Sequence, residues 1–417
     1  MYDFTIKCDP LAETPLLVPN EPAKEPTFVL PPTDPVLEAV DGIRFDFNNG
    51  LRIKFPDKGE YRCVFKDLDT DCLLYSMDVK PGCTVESVKK FYIRFRLEIY
   101  RKGELEKPIF THNLDLNGKE VLIQLPVGAL GDTIAWFSFV ERFQRKHCCN
   151  ISCVMETRMA EIFKAQYPNI SFITKEEAAK LSPYATYNLG LFFGGDTDHQ
   201  PFDFRQIGLH RTAGKILGIE DISDIPPRVN LTADRKIKEK YAVIAAQASS
   251  QCKYWNNPFG WREVVQYLKD NGYRVLCIDR MTEYGTDYTW NHIPYGAENF
   301  TGDLPLQERI DLIKDADMFI GLSSGLSWLA WCCRVPVILI SGFTDPVNEF
   351  ETPYRVQNSS VCHGCWNDMR CDFNHFDFLW CPRKKAARDK FECTKMITSK
   401  MVITKINKLL TKELQKR

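Results

Sequence analysis

From Ile43 the chain alternates strictly between apolar and polar positions. Ile43, Phe45 and Phe47 fall on one face, Asn49-Gly50 supplies a turn, and Leu51, Ile53 and Phe55 return on the next strand, which is the pattern of a β-hairpin. Ile93, Phe95, Leu97 and Ile99 alternate with Arg94, Arg96 and Glu98 in the same way, and Asn117-Gly118 marks a further turn. Residues 41–118 therefore read as a small antiparallel β domain. The prolines scattered over residues 9 to 35 favour extended backbone, so residues 1–40 read as an arm.

Beyond residue 118 the period changes. A strand over Val121 to Leu125 is followed by a glycine-bearing turn, Gly128 to Asp132, and by a helix with apolar periodicity through Val140. Strands are expected at Ile151 to Met155, Ile170 to Ile173 and Tyr187 to Phe193. A second series begins at Tyr241 to Ala246 and continues through a helix over 259–270 and a strand Tyr273 to Asp279. It ends with Met318 to Gly321, a helix over 325–333 and Val335 to Ile340. Strand and helix in alternation predict two consecutive parallel α/β units, 119–232 and 233–417, each Rossmann-like, with ligands at the carboxyl ends of their strands.

Length and charge narrow the possibilities. A chain of 417 residues is long enough for two or three domains. Lys and Arg number 54 against 55 Asp and Glu, a balance that gives no electrostatic footprint for a nucleic acid. No window approaches the apolar run needed to span a bilayer, and Met1-Tyr2-Asp3-Phe4 opens no secretory leader, so a cytoplasmic protein is expected. Most of the 16 cysteines sit singly or in pairs inside apolar runs, as small buried hydrophobes do. Five do not: Cys362, Cys365, Cys371, Cys381 and Cys393 crowd into residues 360–395. A Cys-x-Gly-Cys loop brings two sulfurs onto one ion, and two more thiolates complete a tetrahedron suited to zinc or iron.

Three further segments are candidates for chemistry. In Gly128-Ala129-Leu130-Gly131-Asp132-Thr133 the carboxylate stands at a helix start, where an N-cap explains it by spacing alone and a general base would also be well placed. Gly321-Leu322-Ser323-Ser324-Gly325-Leu326-Ser327 joins a strand to a helix whose free N–H groups suit a diphosphate, although a serine-capped turn has the same composition. Gln247 to Trp255 carries Lys253, which can reach a phosphate as a point charge or simply be solvated.

Together these segments resemble the bacterial heptosyltransferases of the lipopolysaccharide core over about residues 120 to 350. The glycine-leucine-glycine-aspartate turn is matched by Gly128 to Asp132 and the lysine-x-tryptophan loop by Lys253-Tyr254-Trp255. The aspartate-serine/threonine-glycine-leucine-serine/threonine-histidine turn is matched by Ser323 to Trp328. Ser323 stands where that motif has aspartate, and Trp328 where it has histidine. The β-rich N-terminal domain and the cysteine knuckle make the chain more similar still to the autotransporter heptosyltransferases, which modify adhesin proteins.

That resemblance implies an α/β fold of GT-B type, with an antiparallel β domain before the two Rossmann-like units and the knuckle after them. The first unit would serve the acceptor and the second the nucleotide sugar. It implies ADP-heptose as donor, serine hydroxyls of an autotransporter passenger as acceptors, and a large homo-oligomer. One structural ferric ion per chain, with zinc as the alternative, would be held by Cys362, Cys365, Cys381 and Cys393, leaving Cys371 spare. Asp132 would be the base of an inverting transfer. Thr133, Lys253, Ser324, Gly325, Leu326 and Ser327 would line the donor. A GT-B hexosyltransferase using another nucleotide sugar, or a catalytically inactive knuckle-bearing binding protein, are the competing expectations.

Overall fold

The structure is a computed structural model that describes residues 27–126, 128–286, 289–384, 386 and 388–416. The part of the arm before residue 27 lies outside the described residues.

Eight strands precede the first α/β unit: β1 (Leu37–Glu38), β2 (Arg44–Asn48), β3 (Arg52–Lys54), β4 (Tyr61–Asp67), β5 (Cys72–Val79), β6 (Thr84–Glu86), β7 (Phe95–Arg101) and β8 (Phe110–Asn113). They divide between two sheets. Strands β4, β5, β7 and β8 form an antiparallel sheet in the order β5-β4-β7-β8. The hairpin β2-β3 turns through Asn49 and Gly50, both at positive φ, as residues of those types tolerate.

The hairpin joins the next unit. That unit contains β9 (Glu120–Leu125), α1 (Leu130–His147), β10 (Asn150–Met155), α2 (Thr157–Lys164), β11 (Ile170–Ile173), α3 (Lys175–Ala178), β12 (Ala185–Asn188), α4 (Phe204–Ile207) and α5 (Leu209–Ile216). Its strands run β11-β10-β9-β12, all parallel, and β12 then pairs in parallel with β2, Ala185 opposite Phe47 and Thr186 opposite Asn48. One sheet thus crosses residue 118. Alternation along β2 shows which face is apolar but not which strand lies alongside it, so the pairing with β12 has no local signature.

Buried polar side chains seal this joint. Asp46 is fully buried and accepts from Arg52 Nε at 2.9 Å and Arg52 Nη2 at 2.7 Å. It also holds Asn48 Nδ2 at 2.9 Å, and Asn48 Oδ1 accepts from Thr186 Oγ1 of β12 at 2.7 Å. Arg52 reaches the Pro32 carbonyl at 2.9 Å, seating the described end of the arm against the sheet.

The helix expected through Val140 continues to His147. It stops where Cys148 adopts a left-handed conformation and returns its N–H to Gln144 at 2.7 Å. The strand expected over 187–193 is instead Ala185–Asn188.

The second unit comprises β13 (Tyr241–Ala245), α6 (Gly260–Asp270), β14 (Arg274–Cys277), the hairpin β15 (Glu283–Thr286) and β16 (Thr289–His292), β17 (Glu298–Asn299), α7 (Leu306–Ile313), β18 (Met318–Leu322), α8 (Gly325–Cys332) and β19 (Val337–Ile340). Its parallel sheet runs β17-β14-β13-β18-β19. The cysteine segment ends in α9 (Glu392–Lys395), and α10 (Ser399–Lys416) follows it. Helix α10 buries Val402, Ile406 and Leu409 against Val264 and Leu268 of α6, returning the chain to the second core.

Replacing Asp46 by alanine would leave the Arg52 guanidinium buried without its carboxylate. Chemical denaturation of Asp46→Ala is expected to report a loss of about 3–5 kcal/mol.

Candidate functional site

The two glycine-bearing turns meet. Helices α1 and α8 approach with their N-termini facing, so closely that a Cβ on Gly325 would lie 2.7 Å from Leu130 Cβ and 3.0 Å from the Gly131 nitrogen. A Cβ on Gly131 would lie 2.8 Å from Trp328 Cδ1. Gly128, at φ +116°, is the pivot: a Cβ there would stand 2.8 Å from Asp132 Cβ and displace it.

Asp132 follows as the third residue of α1. Its Oδ2 accepts the Ala129 N–H at 2.7 Å, the bond expected of a carboxylate closing a helix N-terminus. The side chain keeps a partly open surface but is densely surrounded. Burial pushes its carboxyl above the usual carboxylate range, opposed by the Ala129 N–H and by the charge of Lys253. Lys253 belongs to the other α/β unit, so a carboxylate and a cation far apart in sequence influence each other across the fold.

Lys253 ends a 3₁₀ turn, Gln251–Lys253, in the loop after β13. Its Nζ donates to Ser249 Oγ at 3.3 Å and stands 5.7 Å from the centre of the Phe343 ring. The loop is fastened at its root by Asp279, buried at the end of β14, whose carboxylate accepts from Ala246 N at 2.8 Å and Gln247 N at 3.1 Å. Beyond β14, Arg280 pairs at the surface with Asp303 at 2.9 Å and Glu283 with His292 at 3.3 Å.

At the α8 turn the candidate groups separate into two sets. The Ser324 N–H is already given to the Leu322 carbonyl at 2.8 Å. Gly325 and Leu326, in the first turn of α8, leave the N–H groups that a helix cannot pair internally. The Ser324 hydroxyl is buried with no partner. Ser327 is buried and returns its hydroxyl to the Leu322 carbonyl at 2.6 Å, which makes it a support for the turn. Thr133 is buried in the first turn of α1.

The two motif departures have partners that sequence reading missed. Ser323 Oγ donates to Glu349, a buried carboxylate that also binds Asn348 Nδ2 at 3.2 Å and Arg355 Nη1 at 2.7 Å. Trp328 packs edge-on against His210 at 5.6 Å between ring centres and against Phe350 at 5.0 Å. His210 in turn binds Asp224 at 2.5 Å, and Asp224 also accepts the Glu351 N–H at 2.7 Å, tying the first unit to the second. None of these contacts has a fixed spacing in the chain by which it could have been found.

The cysteine segment folds over the end of β19. Gly364, at positive φ, turns the Cys362-His363-Gly364-Cys365 loop and gives its N–H to Gly342 at 2.9 Å. Gly342 lets Cys393 close in, since a Cβ there would lie 2.9 Å from Cys393 Cβ. Cys362, Cys365 and Cys381 all bear electrostatically on Cys393, and burial pushes the Cys365 thiol up to about 12 and that of Cys393 well up. All described cysteines are free thiols. Cys371 also faces Cys365 but is engaged by the Arg383 guanidinium. Among the described residues no set of three or more Cys, His, Asp or Glu stands in metal-holding geometry, and what the cysteines offer is their donor type. Their chemistry fits a thiophilic ion. Cys365, Cys371 and Cys381, soft donors of the kind a thiophilic ion takes, pack with a small aromatic cluster of Phe343, Trp366, Phe373 and Trp380.

Two Rossmann-like units that face each other through a carboxylate on one and a lysine and helix N-terminus on the other define a glycosyltransferase of GT-B type. Residues 221–373 match the family described as "Glycosyltransferase family 9 (heptosyltransferase)", and residues 40–103 match "Glycosyltransferase TibC, N-terminal domain". The chain is 52% identical over 376 residues to the autotransporter heptosyltransferase Aah of Escherichia coli, covering 90% of this chain and 95% of that one. It superposes with a TM-score of 0.88 and 48% identity on the crystal structure of the iron-containing dodecameric glycosyltransferase TibC from enterotoxigenic E. coli H10407, covering 92% of this chain and all of that one. TibC has also been solved in complex with ADP-D-β-D-heptose. The inactive autotransporter heptosyltransferase BimC of Burkholderia thailandensis is 37% identical over 400 residues, 93% of each chain. This chain belongs to the autotransporter heptosyltransferases.

A methyl group at position 325 has no space between the two helices. Gly325→Ala is expected to destabilise the protein by about 1–3 kcal/mol in urea unfolding and to weaken ADP binding measured by calorimetry, because α8 must withdraw from α1.

Proposed function

We propose that this protein transfers heptose from ADP-heptose to serine hydroxyls of an autotransporter adhesin, with inversion at the anomeric carbon. The observation that carries the reading is the end-to-end contact of α1 and α8, which sets the Asp132 turn of one unit against the Ser324–Gly325 turn of the other. Identity above one half to an autotransporter heptosyltransferase supports activity over the inactive alternative. The ADP-heptose complex of TibC supports this donor over a hexose nucleotide.

Asp132 takes the proton of the acceptor hydroxyl as its oxygen bonds to the anomeric carbon, and the bond from that carbon to the diphosphate oxygen breaks. Lys253 and the N–H groups of Gly325 and Leu326 receive the charge that develops on the leaving ADP. The unpartnered Ser324 hydroxyl offers a further donor at the same helix end. A carboxyl raised by burial is a stronger proton acceptor, and the charge of Lys253 opposes that rise.

The same reading assigns Cys362, Cys365, Cys381 and Cys393 to one ferric ion per chain, by likeness to the iron-containing TibC. An ion at this point cross-links the knuckle and has no part in the displacement. A large homo-oligomer, as in dodecameric TibC, and a cytoplasmic location belong to the proposal. Among the described residues no helix is long and apolar enough to cross a membrane.

Asparagine at 132 can still accept the Ala129 N–H, so Asp132→Asn should fold and bind ADP normally while sugar transfer falls ~10²–10⁴-fold. In the intact enzyme the rate should fall as pH drops through the raised Asp132 pKa. Lys253→Met removes the charge that opposes the rise, so the acid limb should move to higher pH. Near-normal transfer by Asp132→Asn in an intact-mass assay of a co-expressed passenger fragment would exclude it as the base.

Metal analysis should find iron in the purified protein, with the red colour of a ferric tetrathiolate. Serine at Cys362 or Cys365 should abolish it, and Cys371→Ser should retain it. Loss of iron from the Cys371 variant with retention in the Cys381 variant would overturn the ligand set.

A further inference from the structure

The knuckle and the Lys253 loop are joined by side chains that are neither the thiols nor the lysine. Asn256 is the central one. Its Nδ2 donates within the loop to the carbonyls of Gln251 at 3.0 Å and Tyr254 at 2.9 Å, and outward to Oγ1 of Thr394 at 2.8 Å. Its Oδ1 accepts from Gln251 Nε2 at 2.7 Å. Asn256 therefore brackets the turn that ends in Lys253 and anchors it to the residue that follows Cys393. Thr394 itself is buried in α9 and gives its hydroxyl to the Phe391 carbonyl at 3.3 Å.

Other bonds run the same way. Phe378 O, on the knuckle, accepts from Gln251 N at 2.9 Å and from Ser250 Oγ at 3.2 Å. Trp255 Nε1 donates to Ile397 O at 2.8 Å and Asn257 Nδ2 to Lys395 O at 3.1 Å. Cys252, beside the lysine, packs in the same buried cluster as Phe343 and Cys365. The loop is thus held by the knuckle on both sides of Lys253.

We propose that Thr394 and Asn256 are positioning residues for the donor diphosphate, through which the knuckle sets the place of Lys253. The proposal rests on Lys253 being the diphosphate cation. A lysine has a long, flexible stem, so the charge it delivers to a phosphate depends on how firmly its backbone is fixed. The knuckle supplies that fixation from a part of the chain far away in sequence. An ion held in the knuckle would then bear on nucleotide binding through the anchored loop.

The test uses the full-length, metal-loaded protein and ADP as the probe. Loss of one buried hydrogen bond is expected to weaken ADP binding about 3- to 10-fold in Thr394→Val, and Thr394→Ser, which keeps the hydroxyl, should restore it. Asn256→Ala breaks the same bond from the loop side, away from the thiols, and serves if the valine variant folds poorly or loses metal. In the Lys253→Ala background Thr394→Val should have no further effect, because both act through one contact. Unchanged ADP affinity in metal-replete Thr394→Val and Asn256→Ala would overturn the proposal. So would a full additional loss in the Lys253→Ala background, which would place Thr394 on another route. If Lys253→Ala itself binds ADP normally, the lysine assignment falls and this inference with it; if only that variant loses affinity, the assignment stands and the coupling alone fails.

Discussion

Helices α1 and α8 can meet end to end only because positions 131 and 325 carry no side chain. That contact fixes the separation of the two units at the point where their sheets deliver ligands. It aims two helix N-termini at one region, each worth roughly 0.3–1 kcal/mol toward a nearby negative charge. Asp132 already occupies one of them through the Ala129 N–H. The free N–H groups of α8 and the Lys253 ammonium remain for an anionic ligand. The arrangement gives a carboxylate two opposing influences, burial that raises its pKa and Lys253 that lowers it, which suits a group required to be ionised yet basic.

The second dependence runs from the cysteine segment to the lysine loop. Residues 360–395 contain little aliphatic material, and their Trp366, Phe373 and Trp380 form a small aromatic core around Phe343. Such a segment gains little from burial alone and is suited to a cross-link by an ion. Because its turns also receive the hydrogen bonds of Ser250, Gln251, Asn256 and Asn257, order in the knuckle and order around Lys253 are one property.

The departures at Ser323 and Trp328 have physical consequences of their own. Ser323 directs its hydroxyl to Glu349, a carboxylate neutralised by Arg355. A carboxylate is therefore still present behind the α8 turn, contributed by Glu349 and not by position 323. Trp328 fills the space between Gly131, His210 and Phe350 with an apolar ring, so the helix contact is packed where the related motif has an imidazole.

Local chemistry was legible in the chain. The period of two in β2 and β3, the strand-turn-helix alternation of both units, the Asp132 turn, the α8 turn and the cysteine spacing each depend on residues close in sequence, whose side chains share a face or a turn by backbone geometry alone. Among the readings those residues left open, the family resemblance favoured a base at Asp132 and a phosphate contact at Lys253, which remain part of the proposal. Tertiary structure alone decided that β2 pairs with β12 across the expected boundary, that Arg280 and Glu283 turn to surface partners, and that the Ser324 N–H is already bonded within its turn. It alone set Glu349 behind Ser323 and Asn256 against Thr394. These contacts join residues with no fixed separation along the chain, and a hydrogen-bonding side chain has the same composition whether its partner is water, a neighbour or a residue brought up by another element. The sequence determined which groups are available, and packing decided which of them meet.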